Sequence, residues 1–265
     1  MTDAATEPSP AGVRDALAAV ADPARAAASA RFFKTGPGEY GEGDRFIGVT
    51  VPEVRVVARR FAALPLDGVA ALLGSPVHEH RLCALVILVG AFDRASGRRS
   101  RDDRERARIA GFYLDAVRAG EVDNWDLVDA SADRILGSWL RDPGPADGAA
   151  RAAFDRPGPA ADVLDELAAS PRLWERRVAV ISTFAFLKAG DGGPTLRLAE
   201  RLLDDPHDLI HKAVGWMLRE LGKRVGPAEL TAFLDTHAAR MPRTMLSYAT
   251  EHLDPAARAR YRAMR

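Results

Sequence analysis

The chain has 265 residues, 47% of them apolar, and its 37 basic and 37 acidic residues give a formal net charge of zero. This length can bury the core of one large domain or two small ones. The neutral balance excludes a strongly basic nucleic-acid-binding composition, but it does not exclude a local basic stripe, because the field in a groove depends on where the charges lie.

Cysteine content and apolar run lengths narrow the class of protein further. The single cysteine, Cys83, lies in the apolar run LCALVILVGAF and behaves as a small hydrophobe, so no disulfide framework is present. The N-terminus has no charged-then-apolar leader, and the apolar runs are shorter than the about 20 residues that span a bilayer. We therefore expect a cytoplasmic protein that does not enter a membrane.

Helical patterns follow one another from about residue 11, after a polar tail at residues 1–10 that we expect to be disordered. The segment Thr50–Glu53 predicts a capping box at the start of an amphipathic helix. The run HEHRLCALVILVGAF is apolar on most sides, so its helix should be central. The other helical segments of this half are VRDALAAVA, PARAAASARFF, LDGVAALLG, RERARIAGFYLDAVRAG, NWDLVD and RILGSWLRD. The Pro/Gly-rich stretch 142–162 predicts a loop or a weak helix.

The second half is more regular, because a shorter helix alternates with a longer, more apolar one at a period of roughly 35–40 residues, as in stacked HEAT-type pairs. Its segments are VLDELAAS, LWERRVAVISTFAFLKAG, TLRLAERLLDD, HDLIHKAVGWMLRELGKR, AELTAFLDTHAA, RTMLSYATEHL and ARARYRAM. No segment shows the period-two alternation of a strand. We predict an all-α fold, a curved solenoid (α-α superhelix) of HEAT-like antiparallel helix pairs, as a single domain over residues 11–265.

Trp125 and Asp129 form the most informative pair in the chain. Residues four apart on a helix share a face, with about 5–6 Å between their Cβ atoms. An aromatic plate beside a carboxylate suits a site that holds a sugar ring and stabilises positive charge on it. The alternative is a core tryptophan and an aspartate that caps the next helix, ASADRIL. For the pair taken alone, this alternative is the more common arrangement.

A second set of candidates lies on two long helices of the second half. Lys212 and Trp216 are four residues apart, so a cation and an aromatic ring share one face and suit contacts to a nucleic-acid backbone. If the helices of the solenoid stack, the basic residues of both helices form one surface. They are Arg176, Arg177, Lys212, Arg219, Lys223 and Arg224. For each of them, an ordinary solvated helix charge remains the alternative.

Three other motifs favour structural interpretations. Residues 36–41 satisfy G-x-G-x-x-G, but a helix rather than a strand precedes them, which favours a turn, with backbone amides that reach a phosphate as a further option. His207 and His211 have the spacing of a zinc pair but no evident third ligand, which favours a surface pair. His78 and His80 are two apart and do not face each other on a helix. We predict no metal and no cofactor.

Several longer segments together resemble the AlkD-like family of DNA alkylation repair glycosylases, which have HEAT-like repeats. The resemblance covers roughly residues 11–255. It rests on ARFFKTGPGEYGEGDRFIGVTVPEVR, NWDLVD, WERRVAVISTF, HKAVGWMLRE and PRTMLSYATEHL. It implies excision of positively charged alkylated purines, such as 3-methyladenine and 7-methylguanine, from duplex DNA in base excision repair, with no metal and no covalent nucleophile.

The resemblance also implies roles for individual residues. Asp129 would stabilise the sugar cation and orient water, Trp125 and Trp216 would hold the sugar and backbone, and Arg177 would grip a phosphate. The further DNA-binding candidates are Arg176, Lys212, Phe32, Arg219 and Arg243. Phe32 stands where the family has an aromatic with a hydroxyl, and the GPGEYGEGD insertion belongs to a different branch from the best-characterised enzymes.

The expected partner is double-stranded DNA containing alkylated purines, bound by a monomer, with bulky adducts as a further substrate class. Two alternatives remain. The first is a non-catalytic module that recognises DNA structure, and the second is a HEAT-type protein-interaction scaffold.

Overall fold

The computed structural model describes residues 8–144 and 160–264. The chain divides into two compact units, Met1–Ser131 and Ala132–Arg265. Most of the predicted disordered tail and most of the predicted loop at 142–162 lie outside the described residues. Residues 9 and 10 of that tail are ordered, since Ser9 caps the first helix by accepting the N–H of Gly12 at 3.2 Å.

Seven helices build the described part of the first unit. They are α1 (Pro10–Ala18), α2 (Pro23–Phe32), α3 (Val51–Arg60), α4 (Leu66–Leu73), α5 (His78–Ala95), α6 (Asp103–Ala119) and α7 (Trp125–Ser131). The capping box before α3 is confirmed, because the Glu53 carboxylate accepts the backbone N–H of Thr50 at 2.7 Å. Helix α5 is central as predicted: it packs against α3, α4, α6 and α7.

The second unit begins with a π-helical turn, Asp133–Gly137. The helices that follow are α8 (Ser138–Arg141), α9 (Ala160–Ala168), α10 (Leu173–Ser182), α11 (Phe184–Leu187), α12 (Gly193–Arg201), α13 (Asp208–Arg224), α14 (Pro227–His237), α15 (Arg243–Ala249) and α16 (Pro255–Ala263). Helix α13 is the centre of this unit, because α10, α12, α14 and α15 all pack on it.

The all-α prediction is confirmed over residues 8–144 and 160–264, where the only extended pairing is an isolated bridge between Arg45 and Val77. In the second unit, short helices pack on longer neighbours, as the alternating pattern predicted: α9 packs on α10 and α12 on α13. In the first unit, α4 packs on the longer α5. Among the same residues, no helix is long and apolar enough to cross a membrane.

Two predicted helices are interrupted. In RILGSWLRD the N–H of Gly137 donates to the carbonyl of Ala132 at 2.9 Å, which makes the turn π-helical. A Cβ on Gly137 would overlap the carbonyl oxygen of Ser182, so glycine permits the close approach of α10. In LWERRVAVISTFAFLKAG the chain turns at Thr183, whose hydroxyl donates to the Val180 carbonyl at 2.7 Å. The spacing of apolar residues in the sequence predicts neither interruption.

Candidate active site

Trp125 and Asp129 both lie on α7, Trp125 as its first residue and Asp129 in its interior, and both side chains are half-buried. The helical spacing predicted for the pair is therefore present. The next helical segment starts only after Ala132. Asp129 thus lies within a helix and does not cap the following one, which corrects that alternative.

The ring of Trp125 belongs to a continuous stack of side chains in the first unit. Phe33 stacks on it with ring centroids 5.2 Å apart and an interplanar angle of 11°. Phe46 stacks on Phe33 at 4.9 Å, and His78 on Phe46 at 4.5 Å. Phe32 meets Trp125 edge-on at 6.1 Å and is 66% exposed. The stack fixes the plane of the indole, and Phe32 is an exposed apolar group beside it.

The backbone at the start of α7 is also held in place. The side-chain oxygen of Asn124 accepts the N–H of Trp125 at 2.8 Å, and its side-chain nitrogen donates to Asp44 at 2.9 Å. Asn124 is fully buried. A buried amide with both ends bonded leaves little freedom in the residue that follows it.

His78 lies beneath this stack between two carboxylates. Its Nδ1 is 3.0 Å from Asp44 Oδ2, and its Nε2 is 2.8 Å from Asp126 Oδ2. Arg81 forms ion pairs with Asp44 and, at 2.8 Å, with Asp123. Burial alone would lower the pKa of His78, but the hydrogen bonds and charges of Asp126 and Asp44 outweigh it and raise that pKa from 6.5 to about 9.

The glycine-rich loop between α2 and α3 is bonded to itself. The N–H of Gly36 donates to Glu39 at 2.9 Å, and the N–H of Gly38 donates to Glu42 at 2.9 Å. These two amides are therefore bonded within the loop, and a phosphate at either of them would have to displace the glutamate that accepts from it. A Cβ on Gly41 would overlap the carbonyl oxygen of Phe33. The loop closes tightly over the residue that supports Trp125.

In the second unit, Arg177 is 4% exposed, and its Nη1 donates to the carbonyl of Leu209 at 2.5 Å. This bond ties α10 to the first turn of α13. Arg176 is also held internally: its Nε donates to Asp205 at 2.7 Å, and its Nη1 donates to the carbonyls of Ser170 and Pro171 at 3.0 Å. The contacts give Arg176 a structural role, and the prediction that it binds DNA has no support in this geometry.

Trp216 lies on α13, half-buried, with its ring 6.1 Å from that of Phe184. Two cations flank Phe184: Lys188 Nζ lies 4.4 Å and the Arg224 guanidinium 4.8 Å from the ring centroid. Four residues of the second unit thus form one aromatic and basic cluster. Trp216 and Arg224 were predicted from the sequence, whereas Phe184 and Lys188 were not.

Residues 13–253 match the model of a protein family described as DNA alkylation repair enzyme. The chain belongs to this family. A solved structure described as a predicted DNA alkylation repair enzyme from Enterococcus faecalis is similar in fold, with a TM-score of 0.63, 16% sequence identity, and coverage of 89% of this chain and 97% of that one. A comparison with curated proteins gives no match. Membership of the family supports a role in DNA alkylation repair and implies an interaction with DNA.

The remaining residues predicted to bind DNA, Lys212, Arg219 and Arg243, each bond to another residue of the chain. Lys212 pairs with Asp208 at 2.8 Å, and Arg219 pairs with Glu251. Arg243 donates to the carbonyl of Arg262 at 3.1 Å, beside a cavity of about 280 Å³. All three side chains retain some exposure. Binding to phosphate would require each of them to compete with, or add to, its internal partner.

His207 and His211, the two histidines with the spacing of a zinc pair, both form hydrogen bonds with the backbone. His207 Nδ1 accepts the N–H of Leu209 at 3.1 Å at the start of α13, and His211 Nε2 donates to the carbonyl of Asp205 at 2.5 Å. Within the described residues, no group of three or more His, Cys, Asp or Glu side chains could hold a metal ion. The structural interpretation of the pair is the one that these contacts favour.

The buried support of Trp125 was not predicted from the sequence, where His78 was compared only with His80, its near neighbour. The partners of His78 come from 34 and 48 residues away, and no local spacing reveals them. One signal was available, since three charged or titratable residues (His78, Glu79 and Arg81) open the otherwise apolar run of α5, and all three are buried. Buried polar groups require partners.

Proposed function

We propose that this chain is a DNA glycosylase that hydrolyses the N-glycosidic bond of positively charged alkylated purines in duplex DNA. Membership of the family supports a role in DNA alkylation repair. The residues of α7 support the more specific reaction, hydrolysis of the N-glycosidic bond. The observation that carries the proposal is the Trp125–Asp129 pair on α7, a half-buried carboxylate one helical turn from an indole whose ring and backbone are both held. The substrates in the proposal are 3-methyladenine, 7-methylguanine and similar cations, with bulky adducts as a further class.

The proposed chemistry needs one negative group at the sugar. Alkylation at a ring nitrogen makes the purine a cation, so the bond from C1′ to nitrogen breaks with its electron pair leaving on the base. The deoxyribose then has oxocarbenium character, and Asp129 stabilises it and orients the water that attacks C1′. That water transfers one proton to solvent. Trp125 presents a fixed ring to the sugar, which lowers the cost of ordering the reactants.

Each unit, taken by itself, offers candidate contacts to DNA. In the second unit, Trp216 and Phe184 offer ring faces. Lys188 and Arg224 beside them pair with Asp133 and Glu220, and in the proposal they exchange these carboxylates for the phosphate backbone. The exposed Phe32 would contact DNA beside Trp125. The other proposed contacts are Arg177, Lys212, Arg219 and Arg243. The protein acts as a monomer on double-stranded DNA, without a cofactor.

Asp129→Asn tests the catalytic role directly. The substitution keeps the size of the side chain and removes its charge, so release of 7-methylguanine from methylated duplex DNA should fall by about 100-fold or more, whereas the dissociation constant for DNA should change little. Single-turnover excision and fluorescence anisotropy measure the two quantities. Asp15→Asn, at an exposed position on α1, is the matched control and should behave as wild type.

The same assays separate the proposal from its alternatives. A module that recognises DNA structure would bind DNA and release no base, and a protein-interaction scaffold would not bind DNA at moderate salt. Normal excision by Asp129→Asn would remove Asp129 from its proposed role. Lack of base release by the wild-type protein would refute the glycosylase proposal itself.

A further inference from the structure

His78 takes no part in the proposed chemistry, yet its position is unusual. The ring is 2% exposed, and each of its nitrogens faces a carboxylate oxygen, Asp44 at 3.0 Å and Asp126 at 2.8 Å. A neutral imidazole has one N–H and would turn a lone pair towards one of these carboxylates. The imidazolium has two N–H groups and satisfies both. With both carboxylates ionised, the geometry therefore favours the cation.

One connection from His78 to Trp125 runs through the chain. Asp126 follows Trp125 directly in the first turn of α7, so the bond from His78 holds that turn. Asp44 accepts from His78 and also from Asn124, whose side-chain oxygen in turn accepts the N–H of Trp125. Both carboxylates that hold the imidazolium thus help to fix the backbone of Trp125.

A second connection runs through the rings. The imidazole stacks on Phe46 with an interplanar angle of 23°, Phe46 stacks on Phe33 at 24°, and Phe33 stacks on Trp125 at 11°. The imidazole also contacts Phe33 directly, with ring centroids 5.0 Å apart. A change in the position of the imidazole therefore reaches Phe33 and, through it, Trp125, because neighbouring rings have little room to slip in a packed interior. The base of this stack is the charged ring of His78.

The charged groups around His78 come from three segments. Asp44 lies in the loop after α2, Asp123 and Asp126 lie just before and within α7, and Arg81 lies one turn along α5. Asp123 pairs with Arg81, so the carboxylates that act on the imidazole directly are Asp126 and Asp44. Burial alone would lower the pKa of His78, but the hydrogen bonds and charges of Asp126 and Asp44 raise it to about 9.

We propose that His78 is a positioning residue: its imidazolium bridges Asp44 and Asp126 and thereby sets the backbone and ring of Trp125 for the reaction. Loss of the proton breaks one of the two bridges and frees Trp125. The catalytic part of this inference rests on the proposed glycosylase function, whereas the coupling between the two rings does not.

The coupling is tested without any substrate. The indole N–H resonance of Trp125, assigned by comparison with Trp125→Phe, is followed by NMR from pH 6 to pH 10 together with the imidazole resonances of His78. We expect both to shift with one midpoint, near 9. In His78→Gln the indole shift should disappear. If the indole resonance of the wild-type protein does not shift as His78 titrates, the proposal is overturned, even if the variant fails to fold.

The catalytic consequence is tested by pH profiles. At pH 7, His78→Gln should release 7-methylguanine about tenfold more slowly than wild type under single-turnover conditions. The ratio of the two rates should fall towards one by pH 10, and the ratio cancels the titration of the substrate itself. A ratio that stays constant with pH overturns the catalytic part.

His80→Gln is the matched control, because His80 lies in the same turn of α5 but contacts Ser75 at 2.9 Å. It should excise as wild type at every pH. A wild-type protein that releases no base refutes the glycosylase proposal, and the NMR titration then still decides the coupling.

Discussion

Arg177 was predicted to contact a DNA phosphate, but its side chain is buried. Its guanidinium is nearly buried and bonds to the carbonyl of Leu209. A guanidinium has five N–H donors, so this bond and a phosphate contact are chemically compatible. The neighbouring Arg176 has three internal acceptors instead: Asp205 and two backbone carbonyls. The two arginines therefore form a natural pair for experiment.

Arg177→Gln should weaken DNA binding and reduce the slope of log K against log salt by about 0.9, the loss of one phosphate contact on duplex DNA. Arg176→Gln should lower the melting temperature and leave that slope unchanged. Binding titrations at several salt concentrations, with thermal unfolding of each variant, provide both measurements. An unchanged slope in Arg177→Gln would remove Arg177 from the set of DNA contacts.

At the level of single elements, local signals in the sequence identify helices and some of their ends. The capping box at Thr50 and the apolar run of α5 predict their helices directly. The turn at Thr183 and the π-helical turn before α8 were not predictable, because both depend on contacts with another segment: the Thr183 hydroxyl accepts from the Thr195 hydroxyl at 2.9 Å, and Gly137 packs against the carbonyl of Ser182. The support of Trp125 escaped prediction for the same reason, since His78 meets partners distant in sequence.

Gly137→Ala tests the close approach of the π-helical turn and α10. The added Cβ would overlap the carbonyl oxygen of Ser182, so the free energy of unfolding should fall by about 1–3 kcal/mol. Gly90→Ala on α5 is the control: its Cβ would meet only the end of Arg94 at 3.5 Å. That variant should gain about 0.5–1 kcal/mol from helix propensity. Denaturant titration measures both, and equal effects of the same sign would contradict the close packing.

For the whole molecule, the zero net charge agrees with the way its basic residues are used. Arg176, Lys212, Arg219 and Arg224 each pair with a carboxylate of the protein. DNA phosphates would compete with these carboxylates, and each exchange releases less free energy than binding to an unpaired cation. Such a protein is expected to bind undamaged DNA weakly and to depend on the aromatic contacts at Trp125 and Trp216 for the rest of its affinity.

The free energy of unfolding of the whole molecule depends on pH. Above neutrality, the protonation of His78 should contribute most to this dependence. Its folded pKa of about 9 exceeds the usual value of 6.5, so the native state binds more protons between these values, and stability falls as pH rises through that window. The stabilisation is complete below pH 6.5, is on the order of 3 kcal/mol, and is gone above about pH 9. Burial lowers the pKa values of His80 and His207, so their contributions are lost on the acid side instead.

Urea unfolding of the wild-type protein should therefore show a free energy of unfolding that declines from pH 6.5 to pH 9. His78→Gln should be less stable at pH 6.5 and nearly flat over the same range, because glutamine has no proton to lose there. A wild-type curve as flat as that of the variant would mean that His78 is neutral at pH 7. The two carboxylates would then face one N–H and one lone pair, an arrangement that their distances of 3.0 and 2.8 Å do not favour.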